Sequence, residues 1–152
     1  MALTEKQKRR AAIILVLILA TTAFIFWNST LSRADSGGTS RSLYERLFPF
    51  FYAVFGRVPV THDGFRKLAH FTEFGLLGLL YSLLTVVLQK EKPQHRLNIG
   101  FIGFFTAFCD ETIQIFSARG PAIGDVWIDM AGFVCGMIAI TLITGVVRLW
   151  RK

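Results

Sequence analysis

Residues 11–27 read AAIILVLILATTAFIFW, a run that contains nothing more polar than two threonines. At about 1.5 Å of rise per residue, a helix over residues 11–31 spans a hydrocarbon core of about 30 Å. The run also exceeds the apolar core of a secretory signal, which is about 7–15 residues. It therefore predicts a transmembrane helix, and we favour an uncleaved anchor over a signal peptide cleaved near residues 32–34.

Three further apolar runs follow, at residues 65–88, 97–117 and 124–149. They are joined by short connections that contain the turn residues Pro93 and Gly120-Pro121. Of the 152 residues, 53% are hydrophobic and 18% are charged, which is too apolar for a soluble domain of this size. We expect a single all-α integral membrane domain, residues 1–152, with four transmembrane helices.

The net charge of +7 does not indicate a nucleic-acid partner, because the basic residues cluster at the ends of apolar runs and not along an aromatic-bearing stripe. Four spans place both termini and the connection at 89–96 on the same side of the membrane. That side carries the densest set of Lys and Arg residues near span ends: Lys6, Lys8, Arg9, Arg10, Lys90, Lys92, Arg96, Arg148, Arg151 and Lys152. The positive-inside rule therefore predicts that both termini are cytoplasmic.

The connection between the first and second spans, residues 32–64, has an aromatic part at residues 43–56, LYERLFPFFYAVFG. This segment is too short and too interrupted to cross a bilayer, so we predict that it lies at the membrane interface. It has two interpretations: an aromatic belt that anchors the bundle, which we favour, or a lid that grips a substrate.

Polar residues occur in all three later spans, where ionisable groups are costly and call for an explanation. The alternating directions of the spans bring these residues, apart from Asp125 at the rim, to one depth, about 5–12 Å below the non-cytoplasmic surface. Helical spacing also gives each span a polar stripe on one face. The residues are His70 and Glu73 in the second span, Asp110, Glu111 and Gln114 in the third, and Asp125 and Asp129 in the fourth.

We therefore assign acid–base or catalytic roles to His70, Glu73, Asp110, Glu111, Gln114 and Asp129. Neighbouring acids in a poorly hydrated place cannot all ionise, so the site requires a shared proton or a bound cation. Oxygen-liganded calcium or magnesium fits better than zinc on the sequence alone, with Glu73, Asp110, Glu111 and Asp129 as candidate metal ligands.

Three residues nearer the rim are candidates for binding a substrate: Arg66, Arg119 and Asp125. Arg119 would hold a phosphate or carboxylate, or else it neutralises the neighbouring acids. Asp125 is alternatively the N-cap of the fourth helix. Below Asp129, the spacing of Gly132 and Gly136 predicts close approach of another helix.

Three motifs in order resemble the VanZ-like family, which is named for a bacterial protein associated with teicoplanin resistance. Residues 67–77, KLAHFTEFGLL, resemble its His-x-x-Glu motif, and residues 110–114, DETIQ, resemble its Asp-Glu-x-x-Gln motif. Arg119-Gly120, Asp125 and Gly132 resemble the ending of the family pattern, so the motifs cover residues 65–137. Asp129 departs from the pattern, which often has Asn there.

The resemblance implies a multi-pass protein of the bacterial inner membrane, linked to the glycopeptide (teicoplanin) response. Our leading hypothesis is a site at the non-cytoplasmic face that binds or acts on a lipid-linked or peptidoglycan-related envelope component. An enzyme of this kind would be a membrane-embedded hydrolase or transferase. The alternatives are a non-catalytic binder or modulator of a ligand or partner protein and, with less support, a cation or proton pathway. A homo-oligomer is compatible with the sequence.

Overall fold

A computed structural model describes residues 3–31, 62–117 and 123–150, together with residues 42, 45, 46, 48, 49, 52 and 53. The long helices among these residues are α1 (Glu5–Thr30), α2 (His62–Val87), α3 (Pro93–Phe116) and α4 (Ile123–Trp150). Each of these four is long and apolar enough to cross a membrane. This confirms the predicted all-helical fold with four spans, whereas the cytoplasmic location of the termini stays a prediction.

Helix α1 begins at Glu5, six residues before the predicted span, because its start is capped in the basic segment. The Thr4 hydroxyl accepts a hydrogen bond from the Gln7 backbone N–H, and the Gln7 side chain accepts one from the Thr4 backbone N–H. Together they form a capping box that satisfies two backbone donors at the helix start. The first turns of α1 therefore extend beyond the apolar run that fits the hydrocarbon core.

The most extensive helix interface joins α2 and α4. Gly132 faces the backbone carbonyl of Phe71, and Gly136 faces that of Gly75. A Cβ added at either glycine would overlap the backbone of α2. The close approach predicted from the Gly132–Gly136 spacing is thus confirmed, and α2 is the partner helix.

Helix α1 packs against α2 and α3 through one narrow stripe. The buried side chains on this stripe are Ala11, Ile14, Ile18, Ile25 and Ser29. The remaining large apolar side chains of α1, such as Val16, Leu19 and Phe24, are exposed on the protein surface. An outward apolar surface of this kind suits a helix that is surrounded by lipid.

The site end of the bundle is where α1 and α3 finish and α2 and α4 begin. Among the described residues, every buried ionisable side chain lies near this end: His70, Asp110, Glu111, Asp125 and Asp129. Buried hydroxyls elsewhere in the described bundle bond to backbone carbonyls, as Ser82 does to Met137 and Thr85 does to Ser82. The fold therefore concentrates its buried charge at one end.

The aromatic segment at 43–56 lies largely outside the described residues. Its described positions are helical, and the exposed rings of Phe48 and Tyr52 stack with centroids 6.1 Å apart. This spacing of four residues brings side chains together on one helix face. The interfacial position of the segment stays a prediction.

Candidate functional site

A histidine from α2 lies between an aspartate from α3 and an aspartate from α4. His70 Nδ1 is 3.5 Å from Asp129 Oδ1 and 3.8 Å from Asp110 Oδ2. His70 retains only 7% exposure, and both aspartates have none. Three residues separated by up to 59 positions thus form one buried polar cluster, which we call the His–Asp–Asp cluster.

Asp110 is held by two hydrogen bonds from its surroundings. The Ser29 hydroxyl of α1 donates to Asp110 Oδ1 at 2.5 Å. The Gln114 side-chain amide, one turn along α3, donates to Asp110 Oδ2 at 2.8 Å. Asp110 is therefore fixed in orientation by α1 and by its own helix.

Asp129 has a different environment. Within the described part of the chain, neither of its carboxylate oxygens has a hydrogen-bond donor, and His70 Nδ1 also lacks a bonded partner. A buried carboxylate without donors is costly unless a proton or cation accompanies it. Asp129 is thus the member of the cluster whose carboxylate requires a proton or a cation.

Glu73 follows His70 by one turn of α2 and is partly buried. It lies near enough to His70, Asp110 and Asp129 to interact with their charges. Its Oε2 has no hydrogen-bond partner among the described residues. Glu73 therefore adds a third carboxyl group to the surroundings of a single imidazole. This agrees with the sequence-based expectation that neighbouring acids here share a proton or bind a cation.

Two of the predicted substrate-binding residues contact each other. Arg66 Nη2 lies 3.3 Å from Asp125 Oδ2, and this ion pair joins the N-terminal parts of α2 and α4. Asp125 is the third residue of α4, which begins at Ile123. The N-cap interpretation of Asp125 is therefore wrong: an ion pair and the helix dipole hold its carboxylate inside the first turn.

Glu111 is buried on a neighbouring side of α3. It lines an apolar pocket of about 310 Å³ between α3 and α4. The other pocket-lining residues are Phe104, Phe108, Thr112, Ile115, Ile123, Val126 and Trp127. A carboxyl group in an apolar pocket at the site end can receive a ligand that is partly polar and partly apolar.

Arg119, predicted to hold a phosphate or carboxylate, lies outside the described residues. Conversely, Ser29 was not predicted, although it contacts Asp110. Its sequence signal is weak because polar residues are ordinary at the end of a transmembrane run, as in Asn28-Ser29-Thr30. Only the packing of α1 against α3 distinguishes Ser29 from its neighbours.

Comparison with known protein families gives a match to the VanZ/LLP1 family model over residues 12–144. The chain belongs to the VanZ/LLP1 family. The match begins in α1 and ends in α4, so it extends beyond the motifs at 65–137 and includes Ser29. Searches of curated proteins and of solved structures gave no match.

The geometry gives this VanZ/LLP1 protein two kinds of chemistry. His70 beside two aspartates can take up or release a proton, as a general acid or base does. One nitrogen and two carboxylate oxygens facing a common point can also bind a cation. Family membership identifies a multi-pass membrane protein, and the choice between these chemistries depends on the site itself.

Proposed function

We propose that this protein binds or acts on a component of the bacterial cell envelope through a polar site at its non-cytoplasmic face. The observation that carries the proposal is the buried His–Asp–Asp cluster, in which Asp129 lacks donors among the described residues. Intramembrane ionisable residues are functional candidates by default because burying them is costly. Here α2, α3 and α4 each contribute one ionisable residue to the cluster.

The proposed orientation relies on the positive-inside rule. Arg148 of α4 forms an ion pair with Glu91 in the connection between α2 and α3, at the end opposite the site. Lys90, Lys92 and Arg96 lie in the same region, and the basic N-terminal turns of α1 belong to that end too. A basic end faces the cytoplasm, so the site faces outward.

The shape of the site supports a lipid-linked ligand. The apolar pocket between α3 and α4 would accept hydrocarbon, while Glu111 in its lining would contact polar groups. Arg66, paired with Asp125, lies at the start of α2 and would attract an anionic group such as a phosphate. Arg119 is the second candidate for that contact on sequence grounds.

In an enzyme of this kind, His70 and Glu73 would exchange protons with the substrate, and Asp110 and Asp129 would stabilise the charged imidazole. Ser29 and Gln114 would keep Asp110 oriented. The reaction class would be hydrolysis or group transfer on a lipid-linked or peptidoglycan-related molecule. The family resemblance suggests a link to the glycopeptide (teicoplanin) response, and it supplies no reaction.

The test is a comparison of lipids and cell-wall precursors in cells that carry wild type, His70→Ala or His95→Ala at matched protein levels. His95 lies near the start of α3 at the opposite end, so its substitution is the matched control. We expect a lipid-linked or precursor species to change with wild type and with His95→Ala but not with His70→Ala. Identical profiles and identical teicoplanin sensitivity in all three strains would contradict the proposal.

A non-catalytic binder is the second candidate, favoured by the pocket at Glu111, which can hold a ligand without any chemical step. The variant Glu73→Gln distinguishes an enzyme from a binder, because it preserves the shape and hydrogen bonding of the side chain while removing its acid group. An enzyme that uses Glu73 as acid or base would lose about 100-fold or more in rate. A binder would keep its effect on teicoplanin sensitivity with Glu73→Gln and would change no envelope species.

A further inference from the structure

The ligand atoms of the His–Asp–Asp cluster surround one small volume. His70 Nδ1 and one carboxylate oxygen each from Asp110 and Asp129 all lie within 4.8 Å of one another. The His70 distances are 3.5 Å to Asp129 and 3.8 Å to Asp110. Tetrahedral ligands at about 2.0–2.1 Å from a zinc ion are separated by about 3.4 Å, so closing the site requires only small side-chain movements.

The hydrogen bonding independently indicates a missing ligand. Asp129 is fully buried, yet both of its oxygens lack donors among the described residues. His70 Nδ1, which faces it, also lacks a bonded partner. A direct hydrogen bond between them would be shorter than 3.5 Å, about 2.7–2.9 Å for a charge-assisted pair. An ion between these atoms would give a partner to His70 Nδ1 and to one oxygen of Asp129.

Asp110 has the surroundings expected of a metal ligand. Metal-bound carboxylates are oriented by hydrogen bonds from residues that do not themselves touch the metal. Ser29 and Gln114 supply one such bond to each Asp110 oxygen. Each carboxylate oxygen has two lone pairs, so Asp110 Oδ2 can accept from Gln114 and still bind an ion.

The ligand atoms that the cluster offers favour some cations over others. Calcium takes about 6–8 oxygen ligands and magnesium keeps several waters, whereas this cluster offers an imidazole nitrogen and two carboxylates. Imidazole favours zinc and other transition metals, and three protein ligands leave a fourth position open for water or substrate. The nitrogen ligand therefore changes the preference predicted from the sequence, which was for calcium or magnesium.

We propose that His70, Asp110 and Asp129 bind one divalent transition-metal ion, with zinc as the first candidate and with one coordination position open. The proposal rests on the proposed function, since it names the cofactor of that same site. A metal-bound His70 Nδ1 carries no proton, so with the ion in place the acid–base role belongs to Glu73 and not to His70. Glu73, which interacts electrostatically with all three ligands, would be a proton acceptor for a water bound at the open position.

The test measures zinc in full-length protein that is purified in detergent with an affinity tag free of histidine. After removal of loose metal, wild type should retain about one zinc ion per chain. Competition with a chromophoric chelator then gives the affinity. His70→Ala and Asp129→Asn should each weaken zinc binding by at least about tenfold.

The matched control is His95→Ala, the same substitution as His70→Ala near the start of α3. Because His95 lies at the opposite end of the bundle and outside the cluster, its variant should bind zinc as wild type does. A second measurement needs no variant: cobalt(II) added to metal-free wild type should give the visible absorption of a low-coordinate nitrogen–oxygen site, and zinc should abolish it.

Two outcomes would overturn the inference: wild type that retains neither zinc nor a cobalt signal, or zinc affinity that His70→Ala and Asp129→Asn leave unchanged. The envelope profile separates this inference from the proposed function. If His70→Ala abolishes the change in lipid or precursor species but wild type holds no metal, the metal site alone is overturned. If wild type binds zinc tightly but the lipid and precursor profiles of wild type and His70→Ala are the same, the envelope function alone is overturned.

Discussion

Ser29 and Thr30 are adjacent hydroxyl residues at the end of α1 with different environments. Ser29 is 1% exposed, and its hydroxyl donates to Asp110 across the interface with α3. Thr30 is exposed, and its hydroxyl donates to the Trp27 carbonyl of its own helix. A hydrogen bond to a buried carboxylate contributes more to stability than one to an exposed carbonyl.

At the residue scale, we predict that Ser29→Ala destabilises the protein by about 1.5–3 kcal/mol, the usual contribution of a hydrogen bond to a charged group. The substitution leaves Asp110 Oδ1 without its donor while Gln114 continues to hold Oδ2. Thermal or denaturant unfolding in detergent measures the change. Ser29→Thr, which keeps the hydroxyl, should retain more of the stability.

Thr30→Ala is the matched control for Ser29→Ala. It removes a hydroxyl at the neighbouring position without affecting Asp110, so the free energy of unfolding should change by less than about 0.5 kcal/mol. Equal effects of Ser29→Ala and Thr30→Ala would mean that the contact with Asp110 contributes nothing measurable.

At the element scale, α2 ends in a particular hydrogen-bond pattern. The backbone N–H of Lys90 donates to the Thr85 carbonyl, and that of Gln89 donates to the Val86 carbonyl. These two bonds form a Schellman motif, whose C′ residue adopts left-handed backbone angles. Gln89 has a φ of 57°, where glycine is the preferred residue.

We predict that Gln89→Gly stabilises the protein by about 1 kcal/mol, because glycine adopts this conformation without steric conflict at Cβ. The measurement is the unfolding midpoint in detergent. Gln89→Ala keeps the Cβ and should leave the midpoint close to wild type. A lower midpoint for Gln89→Gly would show that flexibility gained in the unfolded chain outweighs the relief of strain.

At the scale of the whole molecule, the interface between α2 and α4 sets the geometry of the site. Asp129 and Gly136 lie on the same face of α4, and Gly136 packs directly on the α2 backbone near Gly75. The same α2 helix carries His70, which faces Asp129. The distance between the two helix axes therefore controls the distance between these two site residues.

We predict that Gly136→Ala destabilises the protein by about 1–3 kcal/mol, because the added methyl group meets the α2 backbone, which cannot rotate away as a side chain can. Separation of α2 from α4 should also move His70 away from Asp129 and weaken zinc binding. Unfolding in detergent and chelator competition measure the two effects.

Gly145→Ala is the matched control on the same helix, because a Cβ at Gly145 meets nothing within 4 Å. It should leave both properties unchanged or raise stability slightly, since alanine favours helix more than glycine does. Similar losses for Gly136→Ala and Gly145→Ala would indicate that helix propensity in α4, and not its contact with α2, limits stability.

Much of this protein follows from the sequence alone. Long apolar runs must form helices in lipid, because every backbone polar group needs a partner within the segment. Helical periodicity places Asp110 and Gln114 on one face of α3, and Asp129 and Gly132 on one face of α4, and the buried positions agree. The order of the motifs also predicted the family that the comparison then showed.

Only the tertiary structure decided which of these faces meet. Ser29 contacts Asp110, Arg66 pairs with Asp125, and His70 faces two aspartates while Asp129 lacks donors among the described residues. The sequence could not supply these pairings, because periodicity defines a face within one helix but not the helix that packs against it. The His–Asp–Asp cluster exists because close packing of α2 on α4, and of α1 on α3, brings together groups that are distant along the chain.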